Sequence, residues 1–286
     1  MSPTVVNTVG AMRQFVAERR RAGATVGLAP TMGALHEGHL SLVDRARSEC
    51  DTVVVSVFVN PTQFGPGEDY ARYPRDLAND ARLLGERGAD VVFAPDVDAM
   101  YPPGDETRID VGSVANVWEG EQRPGHFAGV ATVVAKLLAA VPADRAYFGR
   151  KDYQQTVVVR RLVRDLLLPV EIVVCPIVRD TDGLALSSRN AYLSVEERQQ
   201  GIAVPRSLES VERLIAEGEA DVATLRAAGL AAFADTPSVE PEYLAFLTDG
   251  EVRPVETISG PTVVAVAARV GSIRLIDNLR VTPPAR

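Results

Sequence analysis

An unbroken apolar run, Thr52 to Val59, is the sequence feature that most restricts the fold. It reads Thr-Val-Val-Val-Ser-Val-Phe-Val, and continuous β-branched residues of this kind indicate a strand that is buried on both faces. Strands buried on both faces belong to parallel sheets that helices cover on each side. The run therefore predicts an α/β protein.

Further strands and helices alternate along the first part of the chain. Short apolar runs predict strands at 25–29, 91–94, 146–148 and 170–175, and apolar residues at helical spacing predict helices at 5–21, 40–50, 76–87, 129–141 and 153–168. This alternation favours a doubly wound parallel sheet, a Rossmann-like domain over residues 1–178. The Pro- and Gly-rich stretch from Asp96 to Gly125 is predicted to be a long surface excursion.

The pattern changes after Asn190. Ser194 is a predicted N-cap for one long helix that reaches Glu217, and Asp221 is a predicted cap for a helix through Ala234. Three later strands, predicted at 242–248, 262–270 and 272–277, are expected to form a small antiparallel sheet. We therefore predict a smaller α+β domain over residues 179–286, which would act as a lid.

Composition and charge exclude several classes of function. The formal net charge of −8 argues against sequence-independent binding of nucleic acid, which needs a basic surface. The two cysteines, Cys50 and Cys175, are far apart and lie among apolar residues, so buried free thiols are expected. A secretory signal and a membrane-spanning run are both missing from the sequence, which predicts a soluble, cytoplasmic protein.

The strongest functional signal follows the first predicted strand. His36-Glu37-Gly38-His39 places two of the three histidines at the start of the next helix. In a parallel α/β sheet this position lies at the carboxyl ends of the strands, where a helix N-terminus offers backbone N–H groups to an anion. Imidazole donors there can stabilise charge on a phosphate. The segment predicts a phosphate-binding, catalytic turn.

Other readings of this segment fit less well. His-Glu-x-His lacks the one-turn spacing of the zinc-binding His-Glu-x-x-His helix, and no further His or Cys cluster accompanies it. The P-loop pattern and the Gly-x-Gly-x-x-Gly pattern of dinucleotide-binding proteins are both missing. Two surface histidines in a loop remain the structural alternative.

Three more segments carry polar side chains at predicted strand ends or at the predicted domain junction. Lys151 and Asp152 can contact phosphate and ribose, and Gln155 begins the next helix. Leu186-Ser187-Ser188-Arg189-Asn190 combines hydroxyl groups with a guanidinium, which suits phosphate oxygens. Asn60 and Gln63 follow the buried strand and offer uncharged amides. The third histidine, His126, is read as structural or gating.

Taken together and in order, these segments resemble the pantothenate synthetase (pantoate-β-alanine ligase) family. The segments that carry the resemblance are Pro30-Thr31-Met32-Gly33, His36-Glu37-Gly38-His39, Asn60-Pro61-Thr62-Gln63-Phe64, Arg123-Pro124-Gly125-His126-Phe127, Lys151-Asp152-Tyr153-Gln154-Gln155 and Leu186-Ser187-Ser188-Arg189-Asn190. The His-x-Gly-His and Ser-Ser-Arg elements alone are also similar to signatures of class I aminoacyl-tRNA synthetases and related nucleotidyltransferases.

The resemblance implies a reaction in two steps. Pantoate and MgATP would give pantoyl adenylate and pyrophosphate, and β-alanine would then displace AMP. It implies a homodimer that handles small molecules, with Mg²⁺ held through the ATP phosphates and no tightly bound prosthetic group. Nucleic acid and membranes are not expected as partners.

The resemblance also implies roles for individual residues. The catalytic residues would be His36, His39, Lys151 and Arg189. ATP would bind to Met32, Gly33, His36, Gly38, His39, Gly149, Lys151, Asp152, Val178, Leu186, Ser187, Ser188 and Arg189. Pantoate and β-alanine would bind to Met32, Asn60, Gln63 and Gln155.

Two positions depart from the family pattern, and two alternatives stay open. The family commonly has Glu where this chain has Arg150, and Met where it has Thr62, which makes the expected pantoate pocket more polar. A nucleotidyltransferase of the same fold that acts on another acid or on a phosphorylated alcohol is one alternative. A nucleotide-binding regulatory module without catalysis is the other, and the intact His36, Lys151 and Arg189 argue against it.

Overall fold

The computed structural model describes residues 2–283, which divide into two compact units. The first unit comprises the residues up to Gly149 together with Gln154–Pro176, and the second comprises Arg150–Tyr153 and the residues from Ile177 onward. The domain boundary predicted after residue 178 stays a prediction. The short segment Arg150–Tyr153 groups with the second unit although it interrupts the first in sequence.

The first unit is built on a six-stranded parallel sheet. Its strands are β1 (Thr4–Val6), β2 (Val26–Thr31), β3 (Thr52–Val57), β4 (Val91–Phe93), β5 (Arg145–Gly149) and β6 (Glu171–Cys175). Their order is β1-β4-β3-β2-β5-β6, and every neighbouring pair is parallel. The chain winds from β2 to β4 in one direction and continues from β5 in the other, which confirms the doubly wound arrangement.

Helices connect these strands. They are α1 (Val9–Arg21), α2 (Glu37–Glu49), α3 (Leu77–Glu86), α4 (Val97–Met100), α5 (Glu119–Gln122), α6 (His126–Ala140) and α7 (Tyr153–Asp165). The predicted apolar face of α2, with Leu40, Val43 and Ala46, is buried in one core cluster with Val53 and Val55 of β3. The apolar stripe read from the sequence is thus the surface that fixes α2 on the sheet.

Two features of the first unit differ from the sequence-based predictions. Thr4–Val6 forms an edge strand beside β4, where a helix from Val5 was predicted, and Thr8 caps the helix that begins at Val9. The stretch from Asp96 to Gly125 was predicted to be a surface excursion, but it contains α4 and α5 and buries Met100 and Val114. The edge strand was missed because its three residues carry no periodic signal of their own.

The second unit is an α+β fold. Its helices are α8 (Val195–Gly201), α9 (Ala203–Ala216) and α10 (Val222–Ala231), and its antiparallel sheet has the order β7 (Val239–Thr248), β8 (Thr262–Val270) and β9 (Ile273–Val281). The three-stranded sheet confirms the prediction. The single long helix predicted from Ser194 is wrong, because the chain breaks at Ile202 into α8 and α9.

Other sequence-based expectations concern thiols and membrane segments. Cys50 and Cys175 are free and buried, and burial raises the pKa of the Cys175 thiol to about 11. Among residues 2–283, no helix combines the length and the apolar character needed to cross a membrane.

Candidate active site

The loop that follows β2 leads directly into α2. His36 has extended backbone angles and is the N-cap of α2, and its Nδ1 accepts a hydrogen bond of 3.2 Å from the backbone N–H of Gly38. A neutral imidazole that accepts through Nδ1 carries its proton on Nε2. The histidine ring is therefore oriented by the helix that it caps, and its second nitrogen has donor character.

His39 lies in the first turn of α2, and its ring packs against that of His36. The two ring centroids are 4.1 Å apart, with an interplanar angle of 33°. The structure thus brings the two predicted catalytic histidines into direct contact at a helix N-terminus. This position, at the carboxyl end of a central strand, is the one that the sequence predicted.

The turn between β2 and α2 has a left-handed backbone that Asp80 holds from α3. Gly33 and Ala34 have φ values of 82° and 50°, and the buried Asp80 carboxylate accepts hydrogen bonds from the N–H groups of Ala34 (3.1 Å) and Leu35 (3.0 Å). A Cβ at Gly33 would lie 2.8 Å from an Asp80 oxygen. Burial raises the pKa of the Asp80 carboxyl group, which the two N–H donors partly offset. Asp80 was not singled out from the sequence, since a lone acid within a helix gives no signal.

The second polar segment follows β3 and forms a short 3-10 helix, Pro61–Gln63. Asn60 is its N-cap and is buried, and its side-chain Nδ2 donates to Gln63 Oε1 (3.0 Å) and to the carbonyl oxygen of Gly129 (3.2 Å). Gly129 is required in α6 because a Cβ there would lie 2.7 Å from the Gln63 nitrogen. Gln63 Nε2 in turn lies 3.0 Å from Met32 Sδ. Three residues predicted to bind pantoate, Met32, Asn60 and Gln63, are therefore in side-chain contact.

His126 and Arg123 support this segment through the main chain. His126 Nδ1 donates to the carbonyl oxygen of Gln63 (2.8 Å), while its Nε2 accepts from Arg123 (3.0 Å), and Arg123 also forms a 2.7 Å ion pair with Glu68. Burial, followed by the nearby Arg123 charge, lowers the pKa of His126 to about 4. The imidazole is therefore neutral at pH 7, and it holds the Gln63 loop rather than capping α6.

The two adjacent glutamines of α7 differ in their environments. Gln154 is buried, donates to the carbonyl oxygens of Val114 (2.9 Å) and Val117 (2.7 Å), and accepts from the N–H of Glu119 (3.1 Å). It thereby anchors the stretch that had been predicted to be a surface excursion. Gln155, the residue predicted to bind pantoate, is only half-buried.

Apart from Gly149, the other predicted ATP-binding residues lie in the second unit. Gly149 ends β5 in the first unit, and Lys151 and Asp152 follow it in a 3-10 turn of the second unit. Asn278 of β9 donates to the carbonyl oxygens of Arg150 (2.8 Å) and Lys151 (3.0 Å). Lys151 Nζ lies 3.5 Å from Asp152 Oδ1. Asn278 therefore fixes the backbone that carries Lys151, and no local pattern in the sequence points to Asn278.

The predicted nucleotide segment around Leu186 is a compact loop in the same unit. The N–H of Leu186 donates to the carbonyl oxygen of Val178 (3.0 Å), so these two predicted residues are neighbours. The Ser187 hydroxyl accepts from the N–H of Arg189 at the start of a 3-10 helix, Ser188–Tyr192. Arg179 pairs with Asp277, the residue before Asn278, which ties this loop and the Lys151 turn to the same strand.

These placements define what each unit can do chemically. The first unit presents a helix N-terminus, two imidazoles in contact and an amide cluster at the carboxyl ends of β2 and β3, a combination suited to phosphate and to a small polar acid. The second unit presents the cations Lys151 and Arg189 on loops shaped by backbone hydrogen bonds. Across residues 2–283, no group of three or more His, Cys, Asp or Glu side chains is arranged to hold a metal ion.

Comparison with known proteins places the chain in one family. The family model described as pantoate-beta-alanine ligase matches residues 4–280. The chain is 54% identical to a pantothenate synthetase from Acidobacterium capsulatum over 255 residues, covering 89% of this chain and 85% of that protein.

Solved structures agree with this match. The crystal structure of pantothenate synthetase from Thermus thermophilus superposes with a TM-score of 0.93 at 50% identity, covering 98% of this chain and 100% of the other. The pantoate-beta-alanine ligase from Francisella tularensis, crystallised with β-γ ATP and β-alanine, has a TM-score of 0.79 at 34% identity and covers 97% of each chain. The chain belongs to the pantoate-beta-alanine ligase family.

Proposed function

We propose that this chain condenses pantoate with β-alanine to give pantothenate, through a pantoyl adenylate and with release of AMP and pyrophosphate. The observation that carries the proposal is the family match over residues 4–280, which includes every segment of the resemblance. The solved Francisella relative, with its nucleotide and β-alanine ligands, supports ATP and β-alanine as substrates here.

In the proposed first step the pantoate carboxylate attacks the α-phosphate of MgATP. Two anions must approach each other, so cationic and N–H donors near the phosphate lower the barrier. His36 and His39 supply imidazole groups at a helix N-terminus, and Lys151 and Arg189 supply positive charge. No side-chain nucleophile is required, because the substrate carboxylate is the nucleophile. Mg²⁺ enters as part of MgATP.

The remaining predicted site residues divide between the two substrates. For ATP we propose Met32, Gly33, Gly38, Gly149, Asp152, Val178, Leu186, Ser187 and Ser188, in addition to the four catalytic residues. For pantoate we propose Gln63 and Gln155 with Asn60 and Met32, and Gln63 also lies on the β-alanine side. The contacts among Met32, Asn60 and Gln63 support a shared site for the acid.

In the proposed second step the amine of β-alanine attacks the adenylate carbonyl and AMP leaves. The amine must be neutral to attack, and the adenylate must be kept from water to avoid hydrolysis. A lid role for residues 179–286 is consistent with that need. We also propose a homodimer and a cytoplasmic location, on the strength of the family resemblance.

The proposal is tested by supplying the purified chain with ATP, pantoate and β-alanine and separating the nucleotide products. We expect AMP and pyrophosphate in equal amounts, with AMP formation dependent on ATP, pantoate and β-alanine. Production of ADP would contradict an adenylate, because it requires attack on the γ-phosphate. A nucleotide-containing final product in place of AMP would instead indicate a nucleotidyltransferase of the same fold.

A further inference from the structure

The amide of Asn60 has only one orientation that satisfies its neighbours. Its Oδ1 accepts hydrogen bonds from the Tyr101 hydroxyl (2.8 Å), the Thr62 hydroxyl (3.0 Å) and the Thr62 N–H (3.3 Å). Its Nδ2 faces two acceptors, the side-chain oxygen of Gln63 and the carbonyl oxygen of Gly129. Exchanging oxygen and nitrogen would point acceptors at acceptors, so the environment fixes the amide.

The orientation of the Asn60 amide determines that of the Gln63 amide. Because Asn60 Nδ2 donates to Gln63 Oε1 at 3.0 Å, the Gln63 oxygen is already used and its Nε2 points the other way, toward Met32 Sδ at 3.0 Å. A thioether sulfur is a weak acceptor. Gln63 is therefore set to donate to a stronger acceptor, such as a carboxylate or hydroxyl oxygen of a ligand.

Tyr101 is held firmly enough to orient the Asn60 amide. The Lys136 ammonium lies 4.5 Å from the centre of the Tyr101 ring, and it donates to the carbonyl oxygen of Met100 (2.8 Å) and pairs with Asp105 (2.5 Å). Burial raises the pKa of the Tyr101 phenol. The phenol consequently stays protonated near neutral pH and remains a donor toward Asn60.

We propose that Tyr101 is a positioning residue that acts through Asn60 to fix the Gln63 amide with its N–H groups toward the acid substrate. Thr62 assists as a second donor, at a position where the family commonly has Met. The inference rests on the proposed function, in which Gln63 binds pantoate. It adds that a phenol outside the segments of the resemblance determines the direction of the Gln63 amide.

The test removes both hydroxyl donors with little change in the volume of either side chain. In the double variant Tyr101→Phe/Thr62→Val the Asn60 amide loses its two side-chain donors and keeps only the Thr62 N–H and its own bonds to Gln63 and Gly129, so it holds Gln63 less rigidly. We expect the KM for pantoate to rise about 10-fold, the magnitude of one lost hydrogen bond to a charged group. The KM for ATP should change less than about 2-fold, because the hydrogen bonds from Tyr101 through Asn60 to Gln63 do not involve the His36–His39 turn. Each single variant should show a smaller rise, because one donor remains.

Tyr147→Phe is the matched control. It removes a buried phenol of the same unit whose hydroxyl contacts Glu49 (3.0 Å) and Cys50 (3.3 Å) at the other end of α2, and it should leave the KM for pantoate unchanged. Thermal melts of all variants report whether folding is affected.

Three results separate the possible failures. If the unaltered chain does not turn over pantoate, the proposed function fails and the inference fails with it. If the unaltered chain is active but the double variant keeps its KM for pantoate, only the proposed positioning role of Tyr101 is wrong. If the double variant raises the KM for ATP and pantoate equally and also melts lower, Tyr101 is only structural, which likewise contradicts the proposal.

Discussion

The two edges of the six-stranded sheet use their polar groups differently. At the amino edge, aspartates accept hydrogen bonds from N–H groups at or next to the strand starts: Asp51 accepts from the N–H of Thr25 (2.9 Å), Asp90 from that of Val53 (2.8 Å) and Asp144 from that of Val26 (2.8 Å). Asp90 and Asp144 also form ion pairs with Arg47 and Arg20. The charges at this edge are satisfied within the fold and leave little for a ligand.

At the carboxyl edge the groups that shape the loops are mostly neutral. His36 caps α2, Asn60 caps its 3-10 turn, and His126 holds the Gln63 carbonyl as an uncharged imidazole. The charged exceptions include Asp80, which is buried beneath the turn, and the Arg123–Glu68 ion pair beside His126. Aspartates at the amino edge therefore serve the fold, whereas the amides and imidazoles at the carboxyl edge are suited to an anionic ligand.

The largest effect is expected from His39→Ala at the carboxyl edge. The variant removes one donor proposed to act on the transition state, so adenylate formation should slow 10²-fold or more. Rapid-quench measurement of pyrophosphate release gives the rate of this step, and chemical denaturation checks that the free energy of unfolding is nearly unchanged. Turnover within a few-fold of the unaltered chain would remove His39 from the catalytic residues.

The neutral His126 predicts a pH dependence of stability. Its pKa is about 4 in the fold, below the ordinary histidine value of 6.5, so the unfolded chain takes up a proton at a higher pH than the folded chain. Acid therefore favours unfolding, and the free energy of unfolding should fall by roughly 3 kcal/mol from pH 6.5 to pH 4 through this group alone.

Denaturant titrations of the unaltered chain and of His126→Asn across that range isolate the effect, because other titrating groups cancel in the difference. The variant should be less stable at pH 7, and the gap between the two proteins should narrow in acid. Parallel pH profiles for the two proteins would show that His126 does not titrate as expected.

A smaller effect on kcat than in His39→Ala is expected at Asp80, and Asp51, which also accepts a hydrogen bond from a backbone N–H, serves as the comparison. Asp80→Asn replaces one of two acceptor oxygens with an N–H₂ group that faces the N–H of Ala34 or Leu35, so the turn before His36 should loosen and kcat should fall about 10-fold. Asp51→Asn makes the same chemical change at the amino edge and should lower the melting temperature while leaving kcat unchanged.

The reverse pattern, with kcat lost in Asp51→Asn and kept in Asp80→Asn, would overturn the distinction between the edges. Steady-state assays under saturating ATP and pantoate, paired with thermal melts, distinguish the outcomes.

The smallest effect is expected from Arg20→Ala. Arg20 pairs with Asp144 at the amino edge, and both side chains are about two-fifths exposed, 42% and 39%. Such pairs contribute less than about 1 kcal/mol because water and salt screen them. Chemical denaturation should show a decrease of at most this size in the free energy of unfolding. A larger decrease would mean that the amino edge depends on its ion pairs.

Much of this fold was predictable because apolar periodicity is a local signal. The run at Thr52 predicted a buried strand, and the apolar face of α2 predicted the helix that carries His36 and His39. The edge strand Thr4–Val6 and the break at Ile202 were missed, since the first depends on pairing with β4 and the second falls within a continuous helical pattern.

The predicted site residues came from local motifs and from the family resemblance. The residues that hold them in place by hydrogen bonds could not be found in this way. Asp80 contacts the turn across 45 residues of sequence, Tyr101 reaches Asn60 across 41, and Asn278 reaches Lys151 across 127. Each is an ordinary polar residue in its own segment, and only the folded chain gives it a partner. Supports of this kind require a structure.

The most direct test of the account is isotope exchange between pyrophosphate and ATP in the absence of β-alanine. An adenylate formed at the carboxyl edge predicts that labelled pyrophosphate enters ATP only when pantoate is present. Exchange should be reduced at least 10²-fold in His39→Ala and retained in Asp51→Asn. Exchange that does not need pantoate, or that survives in His39→Ala, would contradict the proposed adenylate and its place in the fold.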